Sequence, residues 1–180
     1  HHIDLFNMCI SEQDPELKTE IAKCLLALMK QNQFAFNFFP PSTLCPQLLA
    51  LTKTPHFNVQ QQCTKLITEC AKTPSLYNHF IQTETPYHLI PLLQEPECAE
   101  DALICLDLFT KDSQSMDNRT KSQLFNQCKI LLSDDRDTVR QYAVQCIVAL
   151  ANDLPIERWR TIDTLMPLLS DSNSPVRSRA

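Results

Sequence analysis

The sequence predicts an all-α protein in which pairs of helices repeat along the chain and stack as an α-solenoid. Three observations support this fold class. The 180-residue chain has no glycine, and tight hairpin turns usually require glycine at positive φ. One apolar spacing recurs about every 40 residues, a repeat length found in helical solenoids. Within each copy, the spacing places its members on one face of a helix.

The repeated spacing puts apolar residues at offsets 0, +4, +7, +8 and +11 from its first member. The copies are Leu17, Ile21, Cys24, Leu25 and Leu28; Val59, Cys63, Leu66, Ile67 and Cys70; Cys98, Ala102, Cys105, Leu106 and Phe109; Val139, Ala143, Cys146, Ile147 and Leu150; and a fifth that opens with Val176 and Ala180. One helix cannot bury such a stripe alone, but stacked neighbours can. We therefore predict about four repeats plus a truncated fifth, as a single solenoid domain over residues 1–180 that is a fragment of a longer array.

The segments before these helices also repeat. The first helix of a pair is clearest as LIPLLQE (89–95) and LMPLLSD (165–171). The connecting turns are similar as well, as in SEQDPELK (11–18), SDDRDTVR (133–140) and SDSNSPVR (170–177). The unit that repeats is therefore a helix pair with its connecting turn.

These segments resemble a known family. The run PLLSDSNSPVRSRA (167–180) resembles a HEAT repeat, and LLSDDRDTVRQYAVQCIVALAND (131–153) is similar to both HEAT and armadillo repeats. The HEAT/armadillo-like resemblance covers nearly the whole chain. It implies a right-handed superhelix whose concave groove is lined by the last helix of each repeat. The glycine that armadillo repeats carry between their first and second helices is missing, for example at 82–85.

The resemblance also implies ladders of charged residues between neighbouring turns. Arg140 and Arg177 occupy equivalent repeat positions, as do Asp134 and Asp171. In HEAT arrays such residues pair from one turn to the next, so we interpret these four as structural.

The stretch QNQFAFNFFPP, residues 31–41, holds four phenylalanines. Armadillo repeats carry a short extra helix before the long pair, and this stretch aligns with a similar segment, 75–81, that lies 41 residues later. Phe36 and Phe39 then share one face, which we expect to be buried. The other two phenylalanines either pack under the next repeat or form an exposed apolar patch for a partner. These two are Phe34 and Phe38.

The last helix of each repeat carries lysines at recurring offsets. Offset +13 is Lys30, Lys72, Lys111 and Asn152, and offset +6 is Lys23, Lys65, Ile104 and Gln145. The resemblance implies that +13 matches the armadillo asparagine that grips extended peptide backbones. The candidate partner-binding residues are Lys23, Lys30, Lys65, Lys72, Lys111 and Asn152. Such a row of cations predicts an acidic or phosphorylated protein segment as the partner. Alternatively, lysines in last helical turns simply interact with the helix dipole and bind nothing.

A secondary candidate patch is Arg158-Trp159-Arg160, which places the single tryptophan between two arginines. Exposed, it would be a hot-spot type of residue set. The alternative is an inward-packed indole flanked by solvated arginines.

Composition argues against several functions. The net charge of −5 and the pI near 5.5 disfavour a nucleic-acid binder, and the lack of glycine excludes Gly-rich phosphate loops. The histidines are scattered, so we predict no metal, no cofactor and no catalytic site. Six of the nine cysteines fall on positions of the repeated apolar spacing, called template positions below, and are expected to pack as small apolar residues. Their odd number and the absence of CxxC pairs favour a reducing compartment, cytoplasmic or nuclear.

The function that these features predict is a non-enzymatic scaffold or adaptor that holds a protein segment along its concave groove. One alternative is a structural spacer in a large assembly. A second is a HEAT-like enzyme that acts on nucleic acid or as a metal-dependent hydroxylase. No apolar run is long enough to insert into a membrane, and the sequence does not indicate an oligomeric state.

Overall fold

The computed structural model describes residues 2–31, 40–112, 115–153 and 161–180, and the regular elements in these ranges are helices. The α-helices are α1 (His2–Ser11), α2 (Pro15–Gln31), α3 (Pro41–Leu51), α4 (Phe57–Cys70), α5 (Pro74–Gln82), α6 (Thr85–Leu89), α7 (Pro96–Thr110), α8 (Asn118–Leu131), α9 (Asp137–Asp153) and α10 (Ser174–Arg179). Short 3₁₀ helices span Ile90–Gln94 and Met166–Ser170. The chain divides into two compact units, His1–Leu89 and Ile90–Ala180.

In the first unit, the long helices α2 and α4 pack directly against each other. Helix α1 packs on α2, and α3 packs on both α4 and α5. The short extra helix predicted at 75–81 is confirmed as α5, which buries Leu76 and Phe80. Residues 32–39 lie outside the described part of the chain, so the burial expected for Phe36 and Phe39 stays a prediction.

In the second unit, α9 is the central helix, since α7, α8 and α10 all pack on it. The 3₁₀ helix Ile90–Gln94 packs on α7 and α8, and Met166–Ser170 packs on α10. Each 3₁₀ helix contains the proline of the repeated first-helix motif, Pro91 or Pro167. Because proline lacks an N–H and crowds the preceding turn of an α-helix, the tighter helix at these points follows from the sequence.

Three of the four complete copies of the apolar spacing are buried as predicted. Their members are at most 2% exposed: Val59, Cys63, Leu66, Ile67 and Cys70 on α4; Cys98, Ala102, Cys105, Leu106 and Phe109 on α7; Val139, Ala143, Cys146, Ile147 and Leu150 on α9. Val176, which opens the fifth copy on α10, is also fully buried. Each large aliphatic residue among them stabilises the fold by roughly 1.5–3 kcal/mol. The stripes therefore form the core of the helix stacks, as the repeat predicts.

The first copy is wrong by one residue. Leu17 is 49% exposed and Cys24 is exposed, whereas Ala22, Leu26 and Met29 are buried. The same spacing therefore applies to α2, but it starts one residue later than predicted. Helix α2 is rotated by about 100° relative to the orientation that the sequence alone favours.

The error has a simple cause, because α2 is apolar in both frames. The predicted frame has five apolar members, whereas the correct one starts at Lys18 and has four. The correct frame buries Leu26 and Met29 in place of the smaller Cys24 and the half-buried Leu28. Lys18 is only partly buried, and a lysine stem can cover apolar surface while its ammonium group stays in water.

The cysteines follow the same division. Eight of the nine are buried, and Cys24 is exposed. Packing as small apolar residues is thus confirmed for the other five template cysteines and is wrong for Cys24. Burial raises the pKa of the Cys45 thiol to about 12 and that of Cys9 to about 11, so these thiols hold little reactive thiolate at neutral pH.

The backbone has a positive φ at the place where the resemblance expects the armadillo glycine. Between α5 and α6, Glu84 adopts a φ of 51°, in the left-handed region that favours glycine. A side chain with a Cβ costs roughly 1–2 kcal/mol in this conformation. The turn is therefore kept at the position where the resemblance expects a glycine, although glutamate is unfavourable there.

Candidate functional site

The helices that carry the repeated apolar spacing, α2, α4, α7 and α9, are called the template helices. Each exposes the face opposite its buried stripe. On α4 this face carries Asn58, Gln61 and Lys65, at offsets −1, +2 and +6, and Lys72 at offset +13 follows just after the helix. Asn58 and Lys72 are exposed, and Gln61 and Lys65 are half-buried. Because the buried stripe fixes the rotation of the helix about its axis, burial decides which side chains a partner could reach.

Two of the predicted lysines lie at the same position, just after their template helices. Lys72 Nζ lies 2.7 Å from Glu69 Oε2, and Lys111 Nζ lies 2.9 Å from Asp107 Oδ2. The two lysine side chains are 56% and 64% exposed. The carboxylates are 21% and 12% exposed, so these pairs are open to solvent mainly on the lysine side, where a partner's carboxylate or phosphate can approach the ammonium groups.

Lys23 and Lys30 do not hold the repeat positions that were predicted for them. In the corrected frame of α2, offset +6 is Cys24 and offset +13 is Gln31. Lys23 and Lys30 are both exposed, but they lie about 100° around the helix from the equivalent lysines of α4. Lys30 therefore lies apart from the equivalent lysines, whereas Lys23 lines a cleft together with Asn58 and Gln61 of α4.

Asn152 keeps offset +13, near the end of α9, and is exposed. The same face of α9 carries the uncharged residues Gln141, Gln145 and Val148, and the Arg179 guanidinium lies within hydrogen-bond distance of the Gln145 side chain. Lysine thus holds offset +13 just after α4 and α7, whereas asparagine holds it on α9. We call the set Lys65, Lys72 and Lys111 the lysine stripe.

A cleft of about 680 Å³, which the sequence did not predict, lies in the first unit between the N-terminal halves of α2 and α4. Its lining includes Glu16, Glu20 and Lys23 from α2 and Asn58 and Gln61 from α4. Lys23 Nζ lies 2.7 Å from Glu20 Oε1. Carboxamides both donate and accept hydrogen bonds, so Asn58 and Gln61 could pair with an extended peptide backbone. The signal for this cleft was the polar residues at offsets −1 and +2, next to the buried stripe.

Another lysine is structural. The Lys121 side chain is 7% exposed, and its Nζ lies 3.0 Å from Asp153 Oδ2. This pair joins the start of α8 to the end of α9. By contrast, the side chains of Lys72 and Lys111 are exposed.

Arg140 and Asp171 form the ladder contact that the resemblance implied. Arg140 Nε donates to Asp171 Oδ2 at 2.8 Å, and its Nη2 donates to Oδ1 at 2.9 Å. The two side chains are 11% and 8% exposed. The guanidinium group holds the pKa of Asp171 below its usual value, and the carboxylate raises the pKa of Arg140. Because the pair ties α9 to the turn before α10, its predicted structural role is confirmed.

Asp134 occupies the same turn position as Asp171 but has a different partner. The position in α7 that matches Arg140 is Ala99, which cannot pair with a carboxylate. Arg136 replaces it from within the turn, with Nε 2.9 Å from Oδ1 and Nη2 2.8 Å from Oδ2 of Asp134. These bonds lower the pKa of Asp134.

The remaining predictions concern the secondary patch, metal binding and membrane insertion. Phe34, Phe38 and the segment Arg158-Trp159-Arg160 lie outside the described residues. Within the described ranges, no three histidine, cysteine or acidic side chains lie close enough to bind a metal ion. In those ranges too, no helix combines the length and apolarity that crossing a bilayer requires.

Comparison with known proteins identifies the fold. No protein-family profile matches the sequence, and no curated protein is significantly similar to it. Among solved structures, an engineered protein is similar with a TM-score of 0.78 at 16% identity, over 98% of this chain and 76% of that one. A designed armadillo repeat protein gives 0.75 at 16% identity, over 97% and 77%. Another designed armadillo repeat protein, in complex with the peptide (KR)4, gives 0.77 at 16% identity, over 97% and 77%.

At these identities the similarity shows the fold alone. The predicted fold class and the predicted resemblance are both confirmed at that level, because the described elements are helical and the matches extend along almost the entire chain. The chain has the all-α solenoid fold of armadillo repeat proteins.

Proposed function

We propose that this chain is a peptide-binding repeat scaffold, a single array over residues 1–180, that holds an extended segment of another protein along the exposed face of its template helices. The observation that carries the proposal is the position of the lysine stripe. Lys72 and Lys111 hold the same offset, +13, and Lys65 holds +6; each lies on the side of its own repeat that burial of the core leaves open. The fold supports the proposal as well, since a designed armadillo protein of the same fold was solved with a peptide.

The charge of the stripe favours an acidic or phosphorylated segment. The peptide in the designed complex consists of lysine and arginine, and the lysine stripe has the opposite polarity from a surface that would attract such a peptide. Ammonium groups attract carboxylates and phosphates at long range and steer them toward the exposed face of the template helices. The weak local pairs with Glu69 and Asp107 orient Lys72 and Lys111 without neutralising them permanently.

Backbone recognition would come from the carboxamides. Asn58, Gln61 and Lys65 lie on the same face of α4, and Lys72 follows just after that helix. Asn152 holds offset +13 on α9. Because an extended peptide presents N–H and C=O groups along its length, these carboxamides can pair with it whatever its sequence. The lysines then supply the preference for acidic side chains.

The test uses two fluorescent octapeptides, (ED)4 and (KR)4, with binding followed by anisotropy at low salt. We expect (ED)4 to bind more tightly than (KR)4. Reversal of both end lysines, K72E with K111E, should weaken (ED)4 binding at least about tenfold, or 1.4 kcal/mol. The carboxylates left behind, Glu69 and Asp107, are 21% and 12% exposed, so the melting temperature of each variant is measured as well and binding is compared below it.

The matched control is K53E with K129E, which makes the same change in net charge. Lys53 and Lys129 are exposed and lie off the stripe, in the turn after α3 and on α8. Equal loss of binding in both double variants would mean that net charge alone attracts the peptide, and the stripe would be rejected as the site. Tighter binding of (KR)4 than of (ED)4 would overturn the proposed acidic character of the partner segment, but the proposal of a peptide-binding scaffold would stand.

A further inference from the structure

A groove of about 340 Å³ lies in the second unit, between the start of α7, the end of α8 and the turn that follows α8. Its lining is mainly apolar but contains a carboxylate, and it includes Leu93, Pro96, Ala99, Ile130, Leu131 and Asp134. Ile130 is 69% exposed, so the groove opens to solvent beside a large apolar side chain. Its volume falls within the range of small ligand sites, roughly 300–1,000 Å³.

The following repeat shows which side chain occupies the equivalent place. Arg140 of α9 reaches Asp171 in the turn before α10, and its side chain is only 11% exposed. Ala99 and Asp134 hold the same two positions one repeat earlier. Alanine ends at its Cβ, so it supplies neither the aliphatic stem nor the guanidinium group. Because Ala99 and Asp134 both line the groove, the groove lies where the arginine of a ladder contact would run.

Arg136 replaces only part of this missing contact. It holds Asp134 through Nε and Nη2, and its Nη1 donates to the carbonyl oxygen of Pro96 at 2.5 Å. Its side chain is 38% exposed, compared with 11% for Arg140, and the groove stays open beside Ala99. Among the described residues, Oδ2 of Asp134 accepts one hydrogen bond, from Arg136. A carboxylate oxygen has two lone pairs, so Oδ2 can accept a second bond.

The charge around the groove favours a cation. The hydrogen bonds from Arg136 to Asp134, together with the nearby charges of Glu100 and Glu97, raise the pKa of Arg136. Three carboxylates thus act on one guanidinium group, and the local charge attracts a further positive group. An arginine suits both parts of the lining, because its stem can cover apolar walls and its planar fork matches a carboxylate.

We propose that this groove takes the side chain of an arginine from a partner protein. The stem lies on the apolar lining beside Ala99, and the guanidinium group donates to Asp134, as Arg140 donates to Asp171 in the next repeat. The partner completes a ladder contact for which this chain has no arginine on α7. The groove is separate from the lysine stripe, and its failure as a site would leave the proposed peptide site untouched.

The experiment is an NMR titration of the ¹⁵N-labelled 180-residue protein with two capped pentapeptides, acetyl-AARAA-amide and acetyl-AAKAA-amide. We expect the arginine peptide to shift the backbone signals of Ala99, Ile130 and Asp134 saturably, with a Kd of about 1 mM or lower. The lysine peptide has the same charge but should bind at least about tenfold more weakly, because an ammonium group lacks the fork that pairs with a carboxylate. N-propylguanidinium, which is the arginine side chain alone, should shift the same signals.

Two variants test the position of the contact. A99R supplies the arginine from the chain itself and should abolish the shifts that the arginine peptide causes. Its matched control is A50R, which adds the same side chain at an exposed position of α3 and should leave binding unchanged. D134N leaves Ala99 in place and should weaken binding of the arginine peptide at least about tenfold, since the carboxylate is lost.

The lysine peptide and D134N decide the outcome even if the spectrum of A99R shows that this variant does not fold. The proposal is overturned if the arginine peptide causes no saturable shift at the groove, if the lysine peptide binds equally well, or if D134N binds like the wild type. It is also overturned if N-propylguanidinium binds in the groove but the arginine peptide does not, because a protein could not then deliver the side chain.

Discussion

The bidentate contact between Arg140 and Asp171 should be worth far more than the ion pairs on the helix surfaces. Two charge-assisted hydrogen bonds of 2.8 and 2.9 Å join groups that are about nine-tenths buried. Hydrogen bonds to charged groups contribute about 1.5–3 kcal/mol each, less the cost of removing both charges from water. We therefore expect R140Q and D171N each to lower the free energy of unfolding by about 2–3 kcal/mol, with a coupling energy of about 2 kcal/mol in the double-mutant cycle.

Urea unfolding followed by circular dichroism measures all four corners of the cycle, and urea does not screen charges as guanidinium does. The matched control is the pair of Lys23 and Glu20, whose atoms are just as close, 2.7 Å, but whose side chains are 50% and 64% exposed. K23Q and E20Q should couple by less than about 0.5 kcal/mol. A coupling energy for Arg140 and Asp171 no larger than that of the control pair would refute the argument that burial makes the ladder contact strong.

Two further predictions follow from the turns. E84G should raise the free energy of unfolding by about 1 kcal/mol and the melting temperature by roughly 2–4 °C, because glycine adopts the left-handed φ of Glu84 without strain. E84A keeps the Cβ and should give no such gain. Equal effects of the two variants would contradict the argument that the backbone is strained at Glu84. Acid should destabilise the wild type more than R140Q. The lowered pKa of Asp171 gives stability that is complete above the unfolded value of about 3.9 and is lost as the pH falls through the lower folded value. Urea midpoints from about pH 5 to pH 2 check this, and parallel curves for the two proteins would contradict it.

The sequence predicted the helix stacks because the predicted frame has five apolar members on α4, α7 and α9, more than either frame shifted by one residue. The shifted frames of α4 and α7 each contain at least two polar members, whereas one shifted frame of α9 begins with Arg140 but is otherwise apolar. On α2 both frames are apolar, and the choice depends on side-chain volume and on the contact with α1, which a single sequence does not reveal. The prediction failed where the pattern was degenerate.

That failure also changed the candidate site. Lys23 and Lys30 were assigned to the binding face through the frame of α2, and they left it when the helix rotated. Lys72 and Lys111 kept their positions because Val59 and Cys98 fix the rotation of their helices. The cleft between α2 and α4 could not be predicted, because its walls come from two helices whose separation depends on packing.

The contact of Arg140 with Asp171 was expected because the turn motif repeats in sequence. The resemblance supplied the rule that equivalent charges pair between turns, and the distances bear it out for this pair. The local replacement at Asp134 was not foreseen. It follows from Ala99, which leaves a carboxylate without the arginine of a preceding repeat.

Thiol labelling of the folded protein tests the central claim most directly, because cysteines report the rotation of every template helix. A short pulse of N-ethylmaleimide under native conditions, with peptide mass spectrometry, should modify Cys24 first and leave the other eight thiols intact. Rapid modification of Cys63, Cys105 or Cys146 in the folded state would contradict the burial of the repeated stripe. Protection of Cys24 would contradict the rotation of α2.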